Sequence, residues 1–212
     1  MLSFTASSRA IRAKGSPREG TAVTDGMFMV GRDRLGFAVW PESFLRPGLR
    51  TRDSWFYGDT YQNWGLVETP SDIADAPPEL SLYVTERTLQ EGGAALRRYT
   101  LRLDGFVSLY APLAGGELIT RPVTFAGSQL SLNLSTSAAG TVRVEIQDVS
   151  GQPLPGFSLA DCEPLYGDAL EQIVVWKNRP SLEPLAGRPV RLRFEVRDAD
   201  LYSYHFLTPA TR

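Results

Sequence analysis

The densest group of chemistry-bearing side chains lies in DSWFYGDTYQNWG, from Asp53 to Gly65. It holds the rings of Trp55, Phe56, Tyr57, Tyr61 and Trp64, the carboxylates of Asp53 and Asp59, and the amides of Gln62 and Asn63. Sugars present flat C–H faces and rims of hydroxyls; rings cover the faces, and Asp, Asn, Gln and Arg hydrogen-bond the rims. Trp55, Tyr57, Tyr61 and Trp64, with Asp53 and Asp59, are therefore candidate sugar-binding residues. The competing reading packs the same rings at a buried contact between surfaces, where amphipathic aromatics are common.

The surrounding residues add carboxylates at Asp33, Glu42 and Glu68. Glycoside hydrolysis needs two carboxyls about 5–10 Å apart. Asp33 and Glu42 are the candidate catalytic pair on type, and Glu68 and Arg32 are candidate ligand contacts. As alternatives, these are solvated strand-end charges, and Arg32 and Asp33 in GRDRLG bond each other or the turn backbone. DCEPLYGD places Asp161, Glu163 and Asp168 close in sequence. Oxygen-rich loops can hold Ca²⁺, but this spacing matches no Ca²⁺-loop signature, and a turn stabilised by Asp side chains is the stronger expectation. No cofactor is otherwise implied. Serine chemistry lacks a Gly-x-Ser-x-Gly elbow; its base would be His205, the only histidine, whose strand-like setting suggests a structural or exposed residue. One cysteine, Cys162, excludes an internal disulfide and reads as a small buried hydrophobe.

These residues sit in a chain of 212, with 22 basic and 24 acidic residues and a net charge of −2. No basic field is present to neutralise phosphates or to attract an anionic membrane, so neither nucleic acid nor membrane is an expected partner. No apolar run reaches the length of a membrane span. The first residues, MLSFTASSRAIRAKGSPREG, lack the apolar block of a secretory signal; they read as a leader or an extended segment, and the chain as cytoplasmic as written.

The elements positioning these groups are strands. In GTVRVEIQD (140–148), Val142, Val144 and Ile146 alternate with Arg143, Glu145 and Gln147. RPVRLRFEV (188–196) and QLSLNLS (129–135) alternate in the same way, as half-buried strands do. Further strands are expected at 26–31, 36–40, 65–69, 80–85, 97–103, 105–110, 171–176 and 201–206. The glycine pairs at 92–93 and 115–116 read as hairpin turns. Short strands between Gly/Pro turns point to an all-β sandwich or barrel. The one helix candidate, around Ser71–Glu79, is broken by Pro77 and Pro78. Composition shifts near residue 90, which divides the chain into an irregular, aromatic-rich part, 1–92, and a regular sandwich, 93–212.

MFMVGRDRLGFAVWPESFLRPG (27–48), WFYGDTYQNWGLVETP (55–70) and PPELSLYVTE (77–86) together resemble the last blade of a bacterial five-bladed β-propeller of the furanosidase-like glycoside hydrolase type. The remainder, from RRYTLRL to LYSYHF, resembles the β-sandwich that follows such propellers. The resemblance implies an all-β fold, an antiparallel, jelly-roll-like sandwich preceded by a propeller-blade-like antiparallel segment. It also implies a carbohydrate ligand, and it extends to Asp161, Glu163 and Asp168 the structural Ca²⁺ that sugar-binding sandwiches of this kind often carry. The early blades, which bear the family's catalytic carboxylates, have no counterpart here. The expected function is thus a non-catalytic, glycan-binding module. The alternative is a hydrolase, a glycosidase or promiscuous esterase, whose pocket is completed when copies of the chain associate through the propeller-like segment.

Overall fold

The structure is a computed structural model that describes residues 25–31, 36–50, 60–87, 92–177 and 181–208. Arg32, Asp33, Asp53, Trp55, Tyr57 and Asp59 lie outside the described residues. The fold is all-β, and every strand pairing among the described residues is antiparallel. The only helical turn among the described residues is a 3₁₀ turn at Glu183–Leu185, and none of their helices is long and apolar enough to cross a membrane. Two compact units divide between Leu103 and Asp104.

In the first unit, β1 (Gly26–Val30) pairs with β2 (Ala38–Leu45). Met27 faces Ser43 and Met29 faces Val39, so β2 advances four residues while β1 advances two. Pro41, which cannot donate to a ladder, occupies this irregular stretch. Phe28 is buried there, with ring centroids 5.1 Å from Trp40 and 5.9 Å from Phe44.

The second sheet of this unit is built on β5 (Glu79–Glu86). One edge of β5 pairs with β6 (Ala95–Arg102), in register from Glu79 opposite Arg102 to Glu86 opposite Ala95. Gly92 and Gly93 both have positive φ, the conformation a tight turn asks of glycine. The compositional division at 92/93 therefore falls inside a hairpin, and β6 belongs with β5. The other edge of β5 carries β3 (Tyr61–Gln62) and then β4 (Val67–Thr69). Leu82 and Val84 of β5 are fully buried with Leu45, against Phe44, Leu66, Tyr99 and Leu101. Each such side chain contributes about 1.5–3 kcal/mol by leaving water. Odd-numbered positions of β5 form a polar face: Glu79, Ser81, Tyr83 and Thr85.

The second unit is one sheet curled over its own core, giving an antiparallel β-sandwich. Its long members are β9 (Gln129–Gln147) and β11 (Arg191–Leu207), flanked by β7 (Leu109–Ala111), β8 (Gly116–Ile119) and β10 (Asp168–Ile173). The stretches 129–135 and 140–148, expected as separate strands, are the two halves of β9. Likewise 188–196 and 201–206 fall for the most part within β11. Between Arg197 opposite Thr141 and Ala199 opposite Thr136, β9 carries extra residues and the sheet bends. Gly140 is required at the bend, because a Cβ there would lie 2.3 Å from the Asp198 carbonyl oxygen. Leu130, Leu132, Leu134, Val142, Val144, Ile146, Leu192, Phe194 and Val196 all point into the core at 0% exposure. The alternation in the sequence thus names the inner face correctly. Trp176 closes the core, its indole N–H donating to the Val144 carbonyl at 2.9 Å. Cys162 is buried as expected, and burial pushes its thiol pKa up to about 11.

Candidate functional site

Three of the residues expected to bind ligand lie on one described stretch, β3 through β4. Tyr61 is half-buried on β3, opposite Thr85. Asn63 then extends the pairing, its N–H donating to the Tyr83 carbonyl at 2.8 Å and its side-chain oxygen accepting from the Thr85 hydroxyl at 3.1 Å. At Trp64 and Gly65 the chain leaves the ladder; Gly65 has φ +95, and Trp64 is 93% exposed. Pairing resumes at Val67, and Glu68 is exposed opposite Leu80. The interruption is the physical reason the indole reaches solvent.

Beyond β4 the chain enters a loop framed by prolines, Pro70 on one side and Pro77–Pro78 on the other, whose fixed φ limits its freedom. The Ser71 hydroxyl accepts from the Ile73 N–H at 3.2 Å, and the Ala76 N–H donates to the Ile73 carbonyl at 3.2 Å. Asp75 takes φ +62, a conformation that Asp tolerates better than most residues. The loop borders an open surface cavity of about 550 Å³. Pro70, Ile73, Ala74, Ala76 and Pro78 give it apolar walls, and Glu68, Ser71 and Asp75 supply polar groups.

Arg98, on the polar face of β6, holds the loop in place. Its Nε donates to the Ser81 hydroxyl at 2.7 Å. Its Nη2 donates to Thr69 at 3.0 Å and to Glu79 at 2.7 Å. Longer contacts reach the Pro70 carbonyl at 3.5 Å and Asp72 at 3.4 Å. Ser81, fully buried, also shares a 2.8 Å hydrogen bond with Thr69. A planar guanidinium with donors on three nitrogens suits this divergent set of acceptors; an ammonium does not. Nothing in RRYTLRL marks Arg98, since the stretch looks like any solvated strand. Its partners lie 17 to 29 residues away, and no local pattern announces them.

On the opposite face of β6, Tyr99 donates to Glu86 at 2.6 Å and Arg97 donates to the other oxygen of that carboxylate at 2.8 Å. Burial, and then the bond to Glu86, push the Tyr99 pKa up to about 12.

The remaining candidates are placed elsewhere. Glu42 is exposed on β2. The Asp161 carboxylate accepts from the Ser158 hydroxyl at 2.6 Å and from its N–H at 3.2 Å, and these bonds lower its pKa. It caps its own turn, the arrangement the residue types favoured. Glu163 and Asp168 are exposed. Among the described residues no three His, Cys, Asp or Glu side chains gather closely enough to hold a metal ion, so Asp161, Glu163 and Asp168 do not form such a group. His205 lies 3.8 Å from Glu171 as a partly exposed pair.

A second polar cluster lies in the sandwich. Glu145, 4% exposed, accepts from Gln147 at 2.8 Å, from the Leu159 N–H at 3.1 Å and from Arg193 at 3.4 Å. Arg193 also pairs with Glu117. Arg193 bridges the two carboxylates, and the cluster reads as a staple joining β8, β9 and β11.

The chain matches no protein-family model, no curated protein and no solved structure, so the likeness to propeller-associated glycoside hydrolases rests on the sequence alone.

Proposed function

We propose that this protein is a non-catalytic carbohydrate-binding module that engages glycans through its first unit. The observation that carries the reading is Trp64, 93% exposed on a strand interruption anchored by the Asn63–Tyr83 hydrogen bond. A large ring held in water forgoes the burial that normally stabilises it. Stacking on a sugar face would recover that burial. Asn63 and Glu68 are close enough in the chain to serve the hydroxyl rim, and the loop cavity follows directly after β4. Calorimetry or affinity electrophoresis against a broad glycan panel tests the reading. Binding is expected, and Trp64→Ala should weaken it about tenfold, the scale of one lost aromatic contact. Absence of binding across the panel, or binding untouched by Trp64→Ala, overturns it.

A second reading is a hydrolase completed by association of copies of this chain. It draws support from Phe37, Val39 and Trp40 on and beside β2, exposed by 53%, 49% and 36%, next to Glu42. Apolar side chains collected along a strand favour association. Its test is the mass in solution together with turnover of chromogenic glycosides and esters, lost in Glu42→Gln or Asp33→Asn. A strict monomer without turnover eliminates it.

A further inference from the structure

The loop cavity after β4 has a charge character that bears on which glycan it takes. Its lining supplies two carboxylates, Glu68 and Asp75, and no cationic side chain. The guanidinium of Arg98 stands behind it, committed to Ser81, Thr69, Glu79 and, at longer range, Asp72. Arg102 faces Glu79 in register on the neighbouring strand. Four carboxylates, those of Glu68, Asp72, Asp75 and Glu79, thus stand against two guanidiniums. The excess is negative, and the two carboxylates that line the cavity are exposed. The walls are C–H surface: Pro70, Pro78 and Ile73, which is 72% exposed although its loop is held by hydrogen bonds. The depression, about 550 Å³, is open to solvent, so a sugar would lie along it rather than be enclosed.

A ligand matching this lining presents an apolar face to the walls and a positive charge to Glu68 and Asp75. A uronate would bring a like charge to a site whose nearest guanidinium is already engaged. Resting on the carbohydrate-binding reading above, we propose that the cavity selects sugars bearing a free amine, such as glucosamine units, over N-acetylated and uronate sugars. The amine sits between Glu68 and Asp75, and the ring's C–H face lies on Ile73 and the prolines.

The test is calorimetry with short oligomers of glucosamine, of N-acetylglucosamine and of a uronic acid, at mildly acidic pH and low salt. Two exposed charge pairs predict glucosamine oligomers about fivefold tighter than the N-acetylated series. That preference should collapse in roughly 0.5 M salt. It should also vanish in the double variant Glu68→Gln, Asp75→Asn. Both side chains are exposed, so the unfolding midpoint of the variant should match the parent. Equal binding of the three sugars, or a preference that survives salt or the double variant, overturns the inference and leaves the carbohydrate-binding reading standing. Binding of none of them, nor of any glycan in a wider panel, overturns that reading and the inference with it.

Discussion

Arg97 and Arg98 are adjacent arginines on β6 with opposite surroundings, and replacing each by Met separates a pin from an ornament. Arg98 makes two short hydrogen bonds, to Ser81 and to Glu79, both at 2.7 Å, and one of 3.0 Å to Thr69. Its contacts to Asp72 and the Pro70 carbonyl are at the limit of hydrogen-bonding distance and count for little. A charge-assisted hydrogen bond contributes about 1.5–3 kcal/mol, and the 30% exposure of the Arg98 side chain calls for the low end. Ser81 and Thr69 retain each other in the variant, so neither hydroxyl is left wholly unpaired. The net expectation for Arg98→Met is a loss of about 2–3 kcal/mol, which lowers the unfolding midpoint of a unit this size by about 10–20 °C. Arg97, 63% exposed, makes one ion pair, to Glu86; Arg97→Met should cost about 0–1 kcal/mol. Urea denaturation monitored by circular dichroism gives both values. Hydrogen exchange should show faster opening of the amides of 70–78 in Arg98→Met only. If the two variants destabilise equally, or if the loop amides exchange as in the parent, Arg98 does not hold the cavity.

Three further outcomes follow from the geometry. Tyr99 has a folded-state pKa raised from about 10 to about 12, so its neutral form is favoured in the folded protein; its contribution to stability is complete below the unfolded value and disappears as pH rises from about 10 through about 12. Phenolate absorbance should show one tyrosine titrating late, and Tyr99→Phe should flatten the alkaline fall in stability; a Tyr99 that ionises with the exposed tyrosines refutes this. Gly140→Ala forces a Cβ against the Asp198 carbonyl, at 2.3 Å before relaxation, and should destabilise the sandwich by about 3 kcal/mol; a change under about 0.5 kcal/mol in a denaturation curve would show that the bend is not fixed there. Cys162, with a thiol pKa near 11 and 2% exposure, should resist a disulfide reagent at neutral pH in the native protein and react fully once unfolded. Rapid labelling of the native form would contradict its placement.

Much of the inner face was legible wherever apolar and polar residues alternate along a strand, although the polar Ser131, Asn133, Glu145 and Gln147 on the other face of β9 are buried as well rather than in water. Val142, Val144 and Ile146, like Leu130, Leu132 and Leu134, announced their inward face by alternation alone. Boundaries were less legible. The strand expected at 171–176 is Asp168–Ile173; Val174 still donates its N–H to the Leu130 carbonyl at 2.9 Å, while Trp176 bridges to Cys162 instead of to β9. The strand expected at 105–110 shortens to Leu109–Ala111, after a turn at 103–106. In the candidate site, Tyr61, Trp64 and Glu68 were identified by residue type. The exposure of Trp64 was not, since it depends on where pairing with β5 breaks. Arg98 was invisible, because its role depends on acceptors brought to it by two other strands and a loop.

The sequence by itself determined the all-β class, the inner face of the sandwich, the burial of Cys162 and the hairpin turn at Gly92 and Gly93; the pair at 115–116 joins β7 to β8, which both pair with β11 rather than with each other. Each of these depends on side-chain type at short range, through period-two alternation, hydrophobicity or permitted φ. Only the tertiary structure decided that β9 and β11 run continuously through a bend, that β6 joins β5, and that the segment 70–78 is a held loop around a cavity. These depend on register and on hydrogen bonds between residues far apart in the chain, which no local pattern encodes.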